Sequence, residues 1–129
     1  MISPKLLIID DDPGIRAQLK WGFDSYEVIT ADSREKAIEL FVTHKPPLVT
    51  LDLGLPPDTE GTSEGFAILY ALLEKAPETK VIVVSASNEK INSQKAIING
   101  AYDFYPKPIN IDQLKSILEK AYISYTSDK

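Results

Sequence analysis

Short apolar runs, each ending in a charged or hydroxylic residue, recur along this chain, and amphipathic stretches separate them. The first run is Leu6-Leu7-Ile8-Ile9, followed at once by Asp10-Asp11-Asp12-Pro13. Such an uninterrupted run predicts a strand buried on both faces, the pattern of parallel sheets. Pro13 suits the first turn of a helix and Asp12 the cap before it. Over residues 13–23, Ile15, Leu19 and Phe23 then share one helical face. Tyr26-Glu27-Val28-Ile29-Thr30 predicts a second strand. Asp32 and Ser33 offer caps for a helix carrying Ala37, Ile38, Leu40 and Phe41, which stops before Pro46-Pro47. Leu48-Val49-Thr50-Leu51 predicts the third strand. A loop rich in Pro, Gly, Ser and Thr spans 54–63, and Phe66, Leu69, Leu72 and Leu73 mark a helix ending before Pro77. Val81-Ile82-Val83-Val84 is the fourth strand, and a helix over 90–99 stops at Gly100. Residues 102–105 form the fifth strand, and Asn110 with Gln113 opens the last helix as a capping box. The apolar face of that helix is Leu114, Ile117, Leu118, Ala121 and Tyr125.

Strands alternating with helices imply an α/β domain, a parallel sheet covered on both faces. Composition agrees: 129 residues, 43% hydrophobic and 26% charged, suffice for one domain with its own core over 1–129. The net charge of −5 argues against direct nucleic-acid binding by this surface. The absence of cysteine fits a reducing cytosol. No apolar stretch approaches the ~20 residues that cross a bilayer, and no signal peptide precedes the first strand. The expectation is a cytoplasmic protein without membrane association.

Fold alone leaves function open, so the strand ends must supply it. Open α/β sheets keep their ligand crevice at the carboxyl ends of the strands. There the first strand delivers Asp10, Asp11 and Asp12, and the third Asp52 and Gly54. The fourth ends in Val84-Ser85-Ala86-Ser87, and the fifth leads into Pro106-Lys107-Pro108. Clustered carboxylates repel one another unless a cation joins them, and a hard divalent ion, Mg²⁺ (or Mn²⁺), suits oxygen ligands. Carboxylate, hydroxyl, ammonium and metal together are equipment for phosphoryl transfer, with a carboxylate able to act as nucleophile.

In these residues the chain resembles the receiver domain of two-component response regulators, over about Lys5 to Tyr122. The resemblance implies a flavodoxin-like (CheY-like) five-stranded sheet of order 2-1-3-4-5. Matched residue by residue, Asp52 corresponds to the phosphoacceptor, and Asp11 to the direct Mg²⁺ ligand. Asp10 corresponds to an acid acting largely through water. The Gly54 backbone carbonyl corresponds to a further ligand, Ser85 to the switch hydroxyl, Lys107 to the family lysine and Phe104 to the switch aromatic. Lys107-Pro108 matches a peptide bond usually cis in the family, and X-Pro bonds are where cis is cheapest. The implied function is acceptance of a phosphoryl group from a sensor histidine kinase, with only self-phosphorylation and slow autodephosphorylation as chemistry. The implied output is movement of Ser85 and Phe104 that alters the face of the fourth helix, fifth strand and fifth helix. The resemblance also allows a homodimer through that face. Leu53-Gly54-Leu55-Pro56-Pro57, Ser63-Glu64-Gly65, Gly100-Ala101-Tyr102-Asp103-Phe104-Tyr105, Trp21-Gly22-Phe23 and Tyr26-Glu27-Val28 resemble one group more closely. This is the receiver of sigma-54-dependent regulators associated with PEP-CTERM protein sorting and exopolysaccharide. It implies ATPase and DNA-binding domains beyond Lys129; a free-standing receiver is the alternative.

Several readings stay open at this stage. Residues 57–64 lengthen the loop after Asp52 relative to most receivers, either as a gate or partner contact or as a passive insertion. Asp12 is read as a helix cap in preference to a metal ligand. Phe104 lacks the hydroxyl or imidazole of many switch aromatics, so packing alone would govern its movement. An apolar strand before Asp10-x-Asp12 also resembles a haloacid-dehalogenase-like phosphatase, with Asp10 as nucleophile and Asp12 as acid, but that leaves Asp52 without a role. A flavin module would need amide donors where this chain is acidic. His44 is expected at an exposed helix end, and Trp21 in core or edge packing.

Overall fold

A computed structural model describes residues 3–86 and 90–128; Ser87, at the predicted end of the fourth strand, lies outside them. The strands are β1 (Lys5–Ile9), β2 (Glu27–Ala31), β3 (Leu48–Leu51), β4 (Lys80–Ser85) and β5 (Asp103–Pro106). The helices are α1 (Pro13–Gly22), α2 (Arg34–His44), α3 (Ser63–Lys75), α4 (Lys90–Ile98) and α5 (Ile111–Ser127). All neighbouring strands run parallel, in the order β2-β1-β3-β4-β5.

Strand alternation divides the core in two. Leu7, Ile9, Val49, Leu51, Val81 and Val83 face α2, α3 and α4, where Phe41, Phe66, Leu69 and Ala96 meet them. Leu6, Ile8, Leu48, Ile82 and Val84 face α1 and α5, against Leu19, Phe23, Leu114 and Leu118. Burial on both sides explains why these strands read as continuous apolar runs.

The helix ends follow their sequence signals. The Asp12 carboxylate accepts from the amides of Gly14 (2.8 Å) and Ile15 (3.3 Å), which makes it the N-cap of α1. Ser33 caps α2 through the Lys36 amide. Gly100 has φ +103°, and the amides of Gly100 and Ala101 donate to the carbonyls of Ile97 and Ala96, closing α4 with a Schellman pattern. Only half of the expected capping box forms at α5. Asn110 accepts from the Gln113 amide at 3.0 Å, but the Asn110 amide donates to the Tyr105 hydroxyl at 2.9 Å. That hydroxyl donates in turn to Gln113 Oε1 at 3.0 Å, so Tyr105 stands between the two arms of the box.

Three expectations are corrected. β2 and β5 each begin one residue later than the apolar pattern suggested, because their pairing registers start at Glu27 and Asp103. Trp21 is 86% exposed, since Leu19 and Phe23 take the inward side of α1. His44 is the last residue of α2, but half-buried.

Candidate functional site

Backbone hydrogen bonds run on past the strand ends and fix the residues that follow. The Asp10 amide donates to the Ala31 carbonyl (3.0 Å), the Asp52 amide to Ile9 (2.9 Å) and the Lys107 amide to Ser85 (2.9 Å). With Ile9 in register with Leu51, Leu51 with Val83, and Ser85 with Pro106, these residues are carried to one edge of the sheet. Lys107-Pro108 is cis, as expected from the sequence; Pro56-Pro57 is cis as well, which was not anticipated.

Asp10, Asp11, Asp52, Gly54, Ser85 and Lys107 line one pocket of about 580 Å³. A slightly larger hollow, about 620 Å³, lies among Phe41, Lys45, Lys75 and Tyr125, and among the described residues Glu78 is the one acid in its lining. The acidic pocket is therefore where concentrated chemistry lies. Lys107 Nζ donates to Asp10 Oδ2 at 3.0 Å and stands 3.6 Å from Asp52 Oδ1. Asp10 is further held by the Asp12 amide on its Oδ1 (2.9 Å), and Arg16 donates to its carbonyl (2.8 Å). The Gly54 amide approaches Asp52 Oδ1 at 3.4 Å. Ser85 is buried at the end of β4, and Phe104 packs half-buried against the core beside Val83.

Burial, then the neighbouring Asp10 charge, push the Asp52 carboxyl up from 3.8 to about 6; Lys107 and the Gly54 amide oppose the rise, and Asp11 adds to it. One ammonium does not neutralise this cluster. Asp10, Asp11 and Asp52 each offer a carboxylate oxygen, all within 4.8 Å of one another. An all-carboxylate set without imidazole or thiolate fits a hard divalent cation such as Mg²⁺ or Mn²⁺. Asp12 caps α1 and stands outside this triad. The phosphatase reading would have this capping carboxylate act as its acid, and it gives Asp52, a member of the triad, no role.

The electrostatics carry a signed consequence for the metal-free protein. A carboxyl whose folded-state pKa is raised contributes no penalty below pH 4; the penalty grows as pH climbs through about 6 and is complete above it. In EDTA at pH 7.5, Asp52→Asn is therefore expected to be more stable than wild type by about 2 kcal/mol. Urea unfolding at pH 7.5 and pH 4 checks this: the gap must close at the lower pH, and an equal gap at both would contradict it.

One pairing carries no signal in the sequence. Arg34 Nε donates to Glu64 Oε2 at 3.0 Å, and its terminal nitrogen pairs with Oε1, joining the start of α2 to the first turn of α3. The Arg34 bond holds Glu64 below the ordinary carboxylate range. Arg34 and Glu64 lie thirty residues apart, with no periodicity to betray their meeting. The lengthened loop after Asp52, read from the sequence as a gate or partner contact or a passive insertion, folds back so that Thr59, Glu60 and Gly61 line the acidic pocket.

A five-stranded 2-1-3-4-5 parallel sheet with an acidic pocket at the carboxyl ends of β1 and β3 defines a CheY-like, flavodoxin-like domain. The chain matches the response regulator receiver domain over residues 6–119 and belongs to that family. It is 36% identical over 117 residues to the transcriptional regulatory protein KdpE of Staphylococcus aureus, covering 89% of this chain and 48% of KdpE. It is 34% identical over 120 residues to the chemotaxis protein CheY of Listeria monocytogenes, covering 91% of this chain and 97% of CheY. The crystal structure of NtrX from Brucella abortus superposes with a TM-score of 0.88 at 27% identity, covering 98% of this chain and 29% of NtrX. The chain thus spans about half of KdpE and under a third of NtrX. The family typically binds Mg²⁺ at its acidic pocket, and its members work with histidine kinases and effector domains. Among the described residues, no helix is long and apolar enough to cross a membrane.

Proposed function

We propose that residues 1–129 form one signalling domain that accepts a phosphoryl group on Asp52 from a sensor histidine kinase and changes its output surface in response. The observation that carries the reading is the position of Asp52, its Oδ1 3.6 Å from Lys107 Nζ, within a triad with Asp10 and Asp11. An Asp52 carboxylate oxygen attacks the donor phosphorus, and the donor's bond to phosphorus breaks as the new O–P bond forms. Lys107 offsets charge on the phosphoryl oxygens, Asp10 orients the lysine, and the Ser85 hydroxyl donates to one of those oxygens. A divalent cation held by Asp10, Asp11, Asp52 and the Gly54 carbonyl would supply charge neutralisation to the transferring group. Phe104 follows Ser85 inward by repacking alone, which alters the face made by α4, β5 and α5. A homodimer through that face is one readout. No turnover of an external substrate is assigned beyond self-phosphorylation and slow autodephosphorylation.

Sequence resemblance to sigma-54-dependent regulators of the PEP-CTERM/exopolysaccharide group, with the similarity to NtrX, supports an effector role in transcription through ATPase and DNA-binding domains joined in cis. The net charge of −5 is consistent with DNA contact made elsewhere.

Intact mass after incubation with acetyl phosphate and Mg²⁺ tests the phosphoacceptor reading. Wild type is expected to gain one phosphoryl group and Asp52→Asn none; a gain that survives the substitution sinks it.

A further inference from the structure

The loop after Asp52 is not a slack insertion. The Asp58 amide donates to the Leu55 carbonyl at 2.8 Å, and the Gly61 amide to Asp58 at 3.2 Å. The Asp58 carboxylate accepts from the Ser63 hydroxyl at 2.6 Å, tying the loop to the start of α3. Its far side closes on Gly54: a Cβ there would lie 2.6 Å from the Thr59 carbonyl oxygen, so only glycine lets the loop fold this tightly. These contacts bring exposed Glu60 to the wall of the pocket that holds Asp52. Glu60 forms no ion pair with a described residue.

Charge at this mouth is one-sided. Among the described residues, Asp10, Asp11, Asp12, Asp52 and Glu60 line the pocket with one ammonium, Lys107, while Arg16 is held on the Asp10 carbonyl; the acids stay in excess even with a divalent cation among them. Glu60 differs from the other four in belonging to neither the triad nor a helix cap. Its charge acts on whatever enters.

We propose that Glu60 is a donor-selectivity residue: held at the pocket mouth by the folded loop, it repels small anionic phosphodonors and so reserves Asp52 for a phosphohistidine presented on a protein surface. The inference rests on the phosphoacceptor reading of Asp52. A free acyl phosphate arrives as a dianion and meets Glu60 uncompensated, before its O–P bond breaks and its carboxylate leaves. A phosphohistidine is carried in by a docked surface, whose contacts offset the same repulsion.

The test compares wild type, Glu60→Gln and Glu60→Lys by intact-mass time courses with acetyl phosphate and with phosphoramidate, which carries less negative charge. At ~20 mM ionic strength Glu60→Gln is expected to accept from acetyl phosphate about three times faster than wild type, and Glu60→Lys faster still. The gain should shrink with phosphoramidate and largely vanish near 0.5 M salt, where the Debye length falls to a few Å. Rates unchanged at low salt overturn the proposal. Equal gains for both donors at every salt overturn it too, because they report a steric effect. A weaker Mg²⁺-induced thermal upshift in Glu60→Gln would also overturn it, by making Glu60 part of the metal set. Absence of any mass gain in wild type, Glu60→Gln and Glu60→Lys alike, with either donor, would instead fail the phosphoacceptor reading, and the inference with it.

Discussion

Asp11→Asn is expected to slow phosphoryl acceptance from acetyl phosphate by about a hundredfold, on the order of 3 kcal/mol of barrier, while leaving the fold intact. Asp11 is the most exposed member of the carboxylate triad, and no hydrogen bond or ion pair ties it to another described residue. Its removal therefore breaks no structural contact. Asp10 differs, because it anchors both Lys107 and the Asp12 amide. Asparagine keeps the shape of Asp11 and removes the charge, which lowers the affinity of an all-oxygen site for a divalent cation. A second readout separates metal loss from chemistry. Ligand binding to the folded state stabilises by about 2.7 kcal/mol at a hundredfold excess over Kd, so Mg²⁺ should raise the melting temperature of wild type and barely that of Asp11→Asn. A variant with wild-type rate and a wild-type Mg²⁺ upshift would remove Asp11 from the site.

Much of this architecture was legible in the chain, for reasons that differ between elements. Leu6 to Ile9 and Val81 to Val84 announce themselves because a doubly covered strand must be apolar at every position. Asp12, Ser33, Asn110 and Gly100 mark helix ends because each satisfies backbone groups within a few residues of itself. Parallel topology then brings Asp10, Asp52, Ser85 and Lys107 to one edge without further information. Pairings without local necessity stayed hidden. Arg34 meets Glu64 across thirty residues, and Tyr105 intervenes between Asn110 and Gln113; the loop's nearness to the site was legible, but not that Glu60 is the acid it carries there. Trp21 misled because an indole is usually covered, whereas its place on α1 turns it outward.

Gly65→Ala should destabilise the protein by about 2–3 kcal/mol and lower its melting temperature by roughly 10 °C, against the usual sign for a glycine inside a helix. Elsewhere that exchange gains up to about 1 kcal/mol, because alanine leaves the backbone less freedom to lose. Here α3 lies directly on the segment that leaves β3. A Cβ at Gly65 would sit 2.4 Å from the Leu53 Cα and 2.8 Å from the Leu53 carbonyl oxygen. The obstacle is backbone, which cannot rotate away as a side chain can. The Gly65 amide also donates to that carbonyl at 3.2 Å, so pushing the helix off loses a hydrogen bond as well as contact. Leu53 is fully buried and follows Asp52, and the displacement therefore reaches the acidic pocket. Thermal melts should show the loss of stability, and acetyl phosphate time courses a slower mass gain even well below the melting point. A melting temperature equal to or above that of wild type would mean that the first turn of α3 does not bear on Leu53 this closely.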